Sequence, residues 1–77
     1  MGTISVRYFA RIREQLGKGQ ELIDSEGVQC VADVWRRVSG AATSTKVLVA
    51  VNQEYAAMDH PVGTGDEVAF FPPVTGG

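Results

Sequence analysis

Residues 3–9 read TISVRYF. In an extended chain Ile4, Val6 and Tyr8 fall on one face, and Thr3, Ser5, Arg7 and Phe9 on the other. A period of two with β-branched residues predicts a half-buried strand. A second segment of the same kind stands far along the sequence. Residues 67–71, EVAFF, place Val68 and Phe70 on one face and Glu67, Ala69 and Phe71 on the other. Both segments carry dense apolar faces, which predicts that the first and last strands lie side by side in the middle of one sheet.

Working outward, residues 10–16 predict a short helix with Ile12 and Leu16 one turn apart, stopped by Gly17. Residues 18–20 form a turn, residues 21–24 a short strand around Leu22 and Ile23, and residues 24–27 a loop. Val31, Val34, Trp35 and Val38 then recur at i, i+3, i+4 and i+7, the apolar stripe of an amphipathic helix. Asp33, Arg36 and Arg37 face away from that stripe. An i, i+4 ion pair between Asp33 and Arg37 is expected, with Gly40 closing the helix and Cys30 near its N-cap, where Ser or Thr caps better. After a small polar loop at 41–45, residues 47–51 form a strong strand. Residues 52–54 turn into a short strand around Tyr55 and Ala57, followed by turns at 59–61 and 63–66.

The order is strand, short helix, strand, helix, strand, strand, strand. One long amphipathic helix is available to cover one face of a mixed sheet, which is an α+β layer architecture and the β-grasp, or ubiquitin-like, pattern. The expected organisation is a β-grasp domain over residues 1–71 and an extended, mobile tail over residues 72–77, PPVTGG. Prolines cannot continue a sheet ladder, and the closing glycines carry no side chain to anchor.

A chain of 77 residues makes one domain. At this size only about 60% of the unfolded chain's surface is buried on folding, so the core must be efficient or a partner must help. Apolar residues make up 44% and charged residues 21%, which argues against intrinsic disorder. The net charge is -2 with the signs mixed and no basic run, which argues against a nucleic-acid partner. No stretch is long and apolar enough to span a membrane, and residues 1–9 lack a signal-peptide core. A cytoplasmic location is expected. Cys30 is the one cysteine and His60 the one histidine, so no intrachain disulfide forms and no metal site is expected. There is no glycine-rich phosphate loop.

The chemistry is expected at the end of the tail. A partner that activates a C-terminal carboxylate must bring it to the α-phosphate of ATP in a closed site. A tail without Cβ atoms at Gly76 and Gly77 threads a narrow channel and lets backbone groups approach closely. Pro72 and Pro73 reduce the entropy lost when the tail docks in extended form. The alternation also puts Phe9 and Phe71 on the otherwise polar faces of their strands. If those strands are neighbours, both rings lie on one exposed side, and exposed aromatics mark a partner site. Trp35 and its valines read as core, Cys30 as structural, His60 as part of a turn, and Arg11, Arg13, Arg36 and Arg37 as solvated faces. Arg11 and Arg13 flank the aromatic patch in sequence, so they could also lie at its polar rim.

Here a family resemblance becomes specific. Residues 50–77, AVNQEYAAMDHPVGTGDEVAFFPPVTGG, resemble the C-terminal part of the molybdopterin synthase small subunit, the MoaD family. The run DEVAFFPPVTGG is its most diagnostic part, VNQ and DHP add to it, and VRYFARIRE at 6–14 is similar to that family's first strand and helix. The resemblance implies a sulfur carrier of molybdenum cofactor biosynthesis. An E1-like adenylyltransferase consumes ATP to activate the Gly77 carboxylate, and a sulfur donor displaces AMP to leave a thiocarboxylate. The carrier then docks on the large synthase subunit, in an assembly of two small and two large chains. There its sulfur passes to the cyclic pyranopterin monophosphate precursor and builds the dithiolene. The carrier itself is expected to hold no cofactor. The resemblance further implies that Phe9, Tyr55, Phe71, Pro72, Pro73, Val74 and Thr75 meet the partners, with Gly76 and Gly77 as the reacting end. Carriers for thiamine or cysteine synthesis and ubiquitin-like protein modifiers share the fold and the terminal Gly-Gly. A plain interaction module is the remaining alternative.

Overall fold

The computed structural model describes residues 2–39 and 47–73. Seven elements follow in the expected order: β1 (Thr3–Tyr8), α1 (Ala10–Leu16), β2 (Gln20–Asp24), α2 (Val31–Ser39), β3 (Leu48–Val51), β4 (Glu54–Ala56) and β5 (Glu67–Phe71). The loop expected at 41–45, the closing role of Gly40 and tail residues 74–77 lie outside the described residues.

The five strands form one sheet in the order β2-β1-β5-β3-β4. The first and last strands are neighbours and run parallel, with Val6 opposite Val68 and Tyr8 opposite Phe70. Every other pairing is antiparallel. Alternation sends Ile4, Val6, Tyr8, Val49, Val51, Val68 and Phe70 to the inner face, all buried. Val31, Val34 and Trp35 of α2 close over them, with Val38 partly buried beside them. Phe70 is central: its ring centroid lies 4.8 Å from that of Trp35 and 6.4 Å from that of Tyr8. Full burial of one such side chain stabilises by about 1.5–3 kcal/mol.

Gly17 ends α1 as its position predicts. It is left-handed at φ 75°, and its N–H donates to the Arg13 carbonyl at 2.9 Å. The N-terminus of α2 is closed by the turn that follows β4. The Val31 and Ala32 N–H groups donate to the carbonyls of His60 and Met58 at 3.0 and 2.8 Å. The Asp33 carboxylate reaches back to accept from the Gln29 and Cys30 N–H groups, the returning half of a capping box. The Cys30 thiol also points at that carboxylate, 3.7 Å away. Cys30 and His60 thus belong to the helix cap and its turn.

The expected Asp33–Arg37 pair does not form. Asp33 is turned toward the helix start, which brings Arg36, one turn on, to 3.1 Å. Arg37 instead donates to the carbonyls of Asp24 and Glu26 and ties the loop after β2 to the helix. It is therefore not the purely solvated charge its spacing suggests, because those loop carbonyls are better served by its planar fork.

Candidate functional site

The outer face of the sheet is where the aromatic residues gather. In β5, Phe71 faces outward and pairs in register with Leu48 of β3. Ala50, the next outward residue of β3, stands between Tyr55 on one side and Ala69 on the other. Two alanines leave room above the sheet, and Tyr55 leans across it until its ring centroid is 5.7 Å from that of Phe71, tilted by 59°. This is a tilted pair within ordinary aromatic contact distance. Tyr55 is 80% exposed, Leu48 36%, and Phe71 is half-buried.

Phe9 sits beside this group but not on a strand. It is the N-cap of α1, with extended backbone at φ -127° and ψ 151°. Its N–H donates to the Phe70 carbonyl at 3.1 Å, so the β1–β5 ladder runs on to the point where α1 begins. The alternation that buries Tyr8 turns Phe9 outward, and it is 46% exposed. The expectation that Phe9 and Phe71 share the outer side therefore holds. The aromatic contact made there among the described residues is Tyr55 with Phe71. Pro72 and Pro73 leave the end of β5 half-buried. Val74, Thr75, Gly76 and Gly77 lie outside the described residues.

Leu48 was not singled out by sequence, although it pairs in register with Phe71 and is exposed. The run 47–51 is apolar throughout, and only its alternation, Leu48 and Ala50 against Val49 and Val51, could have told the outer face from the inner. Leu22 is a separate exposed apolar residue, 68% accessible on β2.

The described members of the cluster, Leu48, Tyr55 and Phe71, offer apolar and aromatic surface suited to binding. Among the described residues no group of three or more His, Cys, Asp or Glu side chains could hold a metal ion. Shifted ionisations occur elsewhere. Burial first, and then hydrogen bonding to Glu21, pushes the Tyr8 phenol well above its usual range. Glu21 is pushed upward by burial, but the Tyr8 hydroxyl and Lys18 outweigh this and hold it lower. The Gly63 N–H and the Asn52 amide hold Asp66 below the usual carboxylate range. The Gln29 N–H is the main cause of a similar lowering at Asp33, against a smaller opposing effect of burial. These groups fix turns, caps and strand pairs.

Comparison with known proteins adds to this geometry. A family model described as the ThiS family matches residues 6–77. The sequence is 41% identical over 80 residues to the molybdopterin synthase sulfur carrier subunit of Escherichia coli (strain K12), covering 96% of this chain and 99% of that one. The fold is similar to the crystal structure of Haloferax volcanii small archaeal modifier protein 1, with a TM-score of 0.80, 26% identity, and 96% and 100% of the two chains covered. It is equally similar to a putative molybdopterin converting factor, subunit 1, from Pyrococcus furiosus, with a TM-score of 0.80, 28% identity, and 96% and 100% covered.

Proposed function

The chain belongs to the ThiS family, and from that premise we propose that it is the sulfur carrier subunit of a molybdopterin synthase. The observation that carries this reading is the 41% identity to such a subunit over nearly the whole of both chains. The Gly76-Gly77 ending and the FFPP run that leads into it support the chemistry.

In this reading the Gly77 carboxylate attacks the α-phosphate of ATP held by an E1-like adenylyltransferase, and pyrophosphate leaves. Sulfide-level sulfur released by a donor then attacks the acyl carbon, AMP leaves, and a thiocarboxylate remains. Delivered to the large subunit, that sulfur becomes one arm of the dithiolene built on the cyclic pyranopterin monophosphate, and a second carrier supplies the other. The carrier contributes the nucleophile, and the large subunit the substrate pocket. Two small and two large chains make the working assembly in the cytoplasm. Residues 72–77 form the part that threads the partners' channels. Phe9, Tyr55 and Phe71 form the docking face, and the exposed Leu48, paired in register with Phe71, supports extending it.

The likeness to a small archaeal modifier protein favours one second reading, in which Gly77 forms isopeptide bonds with lysines of target proteins. Intact mass spectrometry of protein from cells with an active cofactor pathway separates the two. A species heavier by the difference between sulfur and oxygen, located on Gly77, is expected for the carrier. An unmodified carboxylate after incubation with activating enzyme, ATP and sulfur donor, together with conjugates in the lysate, would support the modifier.

A further inference from the structure

The charges of this chain are unevenly placed. Residues 1–19 hold Arg7, Arg11, Arg13 and Lys18 against Glu14 alone, while the whole chain carries -2. The remainder is therefore net acidic. The fold turns this difference along the sequence into a difference between the two ends of the sheet. Thr3 pairs with Asp24, Ser5 with Glu67, and Val51 with Glu54. Asp24, Glu54, Asp66 and Glu67 thus collect at the end where β1 begins. Arg11 and Arg13 stand at the opposite end, where β1 runs into α1. The Phe9–Phe70 hydrogen bond marks this as the end where β5 delivers residues 72 and 73.

Most of the other cations are used internally. Arg7 pairs with Glu67 at 3.9 Å, Lys18 with Glu21 at 3.0 Å and Arg36 with Asp33 at 3.1 Å, and Arg37 serves loop carbonyls. Among the described residues, Arg11 and Arg13 are the arginines and lysines that make no ion pair and no side-chain hydrogen bond, and both are exposed. Arg13 also has a defined neighbourhood. It lies over Gly19, where a Cβ would come within 3.2 Å of its Nε, and with Phe9 and Gln20 it lines a shallow hollow.

We infer that the chain approaches its protein partners with this positive pole first, onto an acidic surface that rims the channel receiving residues 72–77. The inference rests on the tail function proposed above and adds to it the sign of charge the partners must present. A protein surface fits better than a nucleic acid, since a long polyanion laid across this pole meets the acidic remainder of the chain. Steering of this kind raises association rates and is weakened by salt.

The test is stopped-flow association of the full chain with the purified E1-like adenylyltransferase and, separately, with the large subunit, at about 20 and 200 mM salt, where screening differs strongly. Arg11→Glu and Arg13→Glu are expected to slow association about tenfold at the lower salt, to converge on the parent at the higher salt, and to change dissociation less. Arg36→Glu makes the same change in net charge at a cation that is paired internally, and should stay within about twofold of the parent. Parental rates and salt dependence in both α1 variants would overturn the inference, as would equal slowing by Arg36→Glu. Heparin retention that depends on Arg11 and Arg13, with no effect on protein association, would assign the pole to nucleic acid instead. If the unaltered chain binds neither partner, the functional reading itself fails.

Discussion

Phe71 carries its ring on the outer face, 5.7 Å from that of Tyr55, and contributes little to the core beneath. Phe71→Asp is expected to leave the thermal midpoint within a few degrees of the parent and to weaken binding of the large subunit at least tenfold. A central aromatic anchor of an interface is commonly worth about 2 kcal/mol or more. Loss of the folded state in this variant would place Phe71 in the core and remove it from the interface. At this scale the sequence was legible wherever a single strand decides the matter. Period two alone turns Phe9 and Phe71 outward and Tyr8 and Phe70 inward. The Tyr55–Phe71 contact was not legible, because it spans β3 and depends on Ala50 being too small to keep the rings apart. Arg37 misled for a related reason: helical spacing offers it Asp33, and only the folded loop offers it two carbonyls.

Among the elements, the β3–β4 hairpin is one place where local sequence and local geometry disagree; the start of α1, where Ala10 has φ 51°, is another. In the hairpin, Asn52 and Gln53 both have positive φ, 52° and 71°, as the tight turns that best match strand twist require. Asparagine tolerates this conformation, and Asn52 is further fixed to β5. Its N–H donates to the Glu67 carbonyl at 2.8 Å, and its side-chain oxygen accepts from the Glu67 N–H at 3.0 Å. Gln53 has no such compensation among the described residues. Gln53→Gly should therefore stabilise the protein by about 0.5–1 kcal/mol, the relief of a left-handed residue less the flexibility gained by the unfolded chain. The check is a chemical denaturation series, and a lower midpoint for the variant would show that the turn is not strained. The existence and order of the elements were readable because each has its own period and its own stop signal. Their ends were less so. Strand β2 starts at Gln20, inside the predicted turn, because Arg7 supplies it with a partner.

The molecule as a whole should be stable over a broad range of pH with a limit on each side. Asp33 and Asp66 have carboxyls held low in the folded state. What they contribute is present above their unfolded value near 3.9 and is lost as pH falls through their folded values. Tyr8 is shifted the other way. Its contribution is complete below the unfolded value near 10 and is lost as pH rises beyond it, because the unfolded chain can then release a proton that the folded chain retains. Urea unfolding measured across pH should show both limbs, and Tyr8→Phe should flatten the alkaline one. An unchanged alkaline limb would mean that the buried hydroxyl is not what titrates.

The parallel pairing of β1 with β5 bears on how this protein responds to force. Tension applied through residues 2 and 73 pulls the two central strands lengthwise past each other in opposite directions. Their cross-strand hydrogen bonds are then loaded together, as in a lap joint, and none can be peeled off singly. A machine that pulls on the tail to thread the chain into a protease would meet its greatest resistance at the first strand it reaches. The same tail could be drawn into a partner's channel and released many times with the sheet intact.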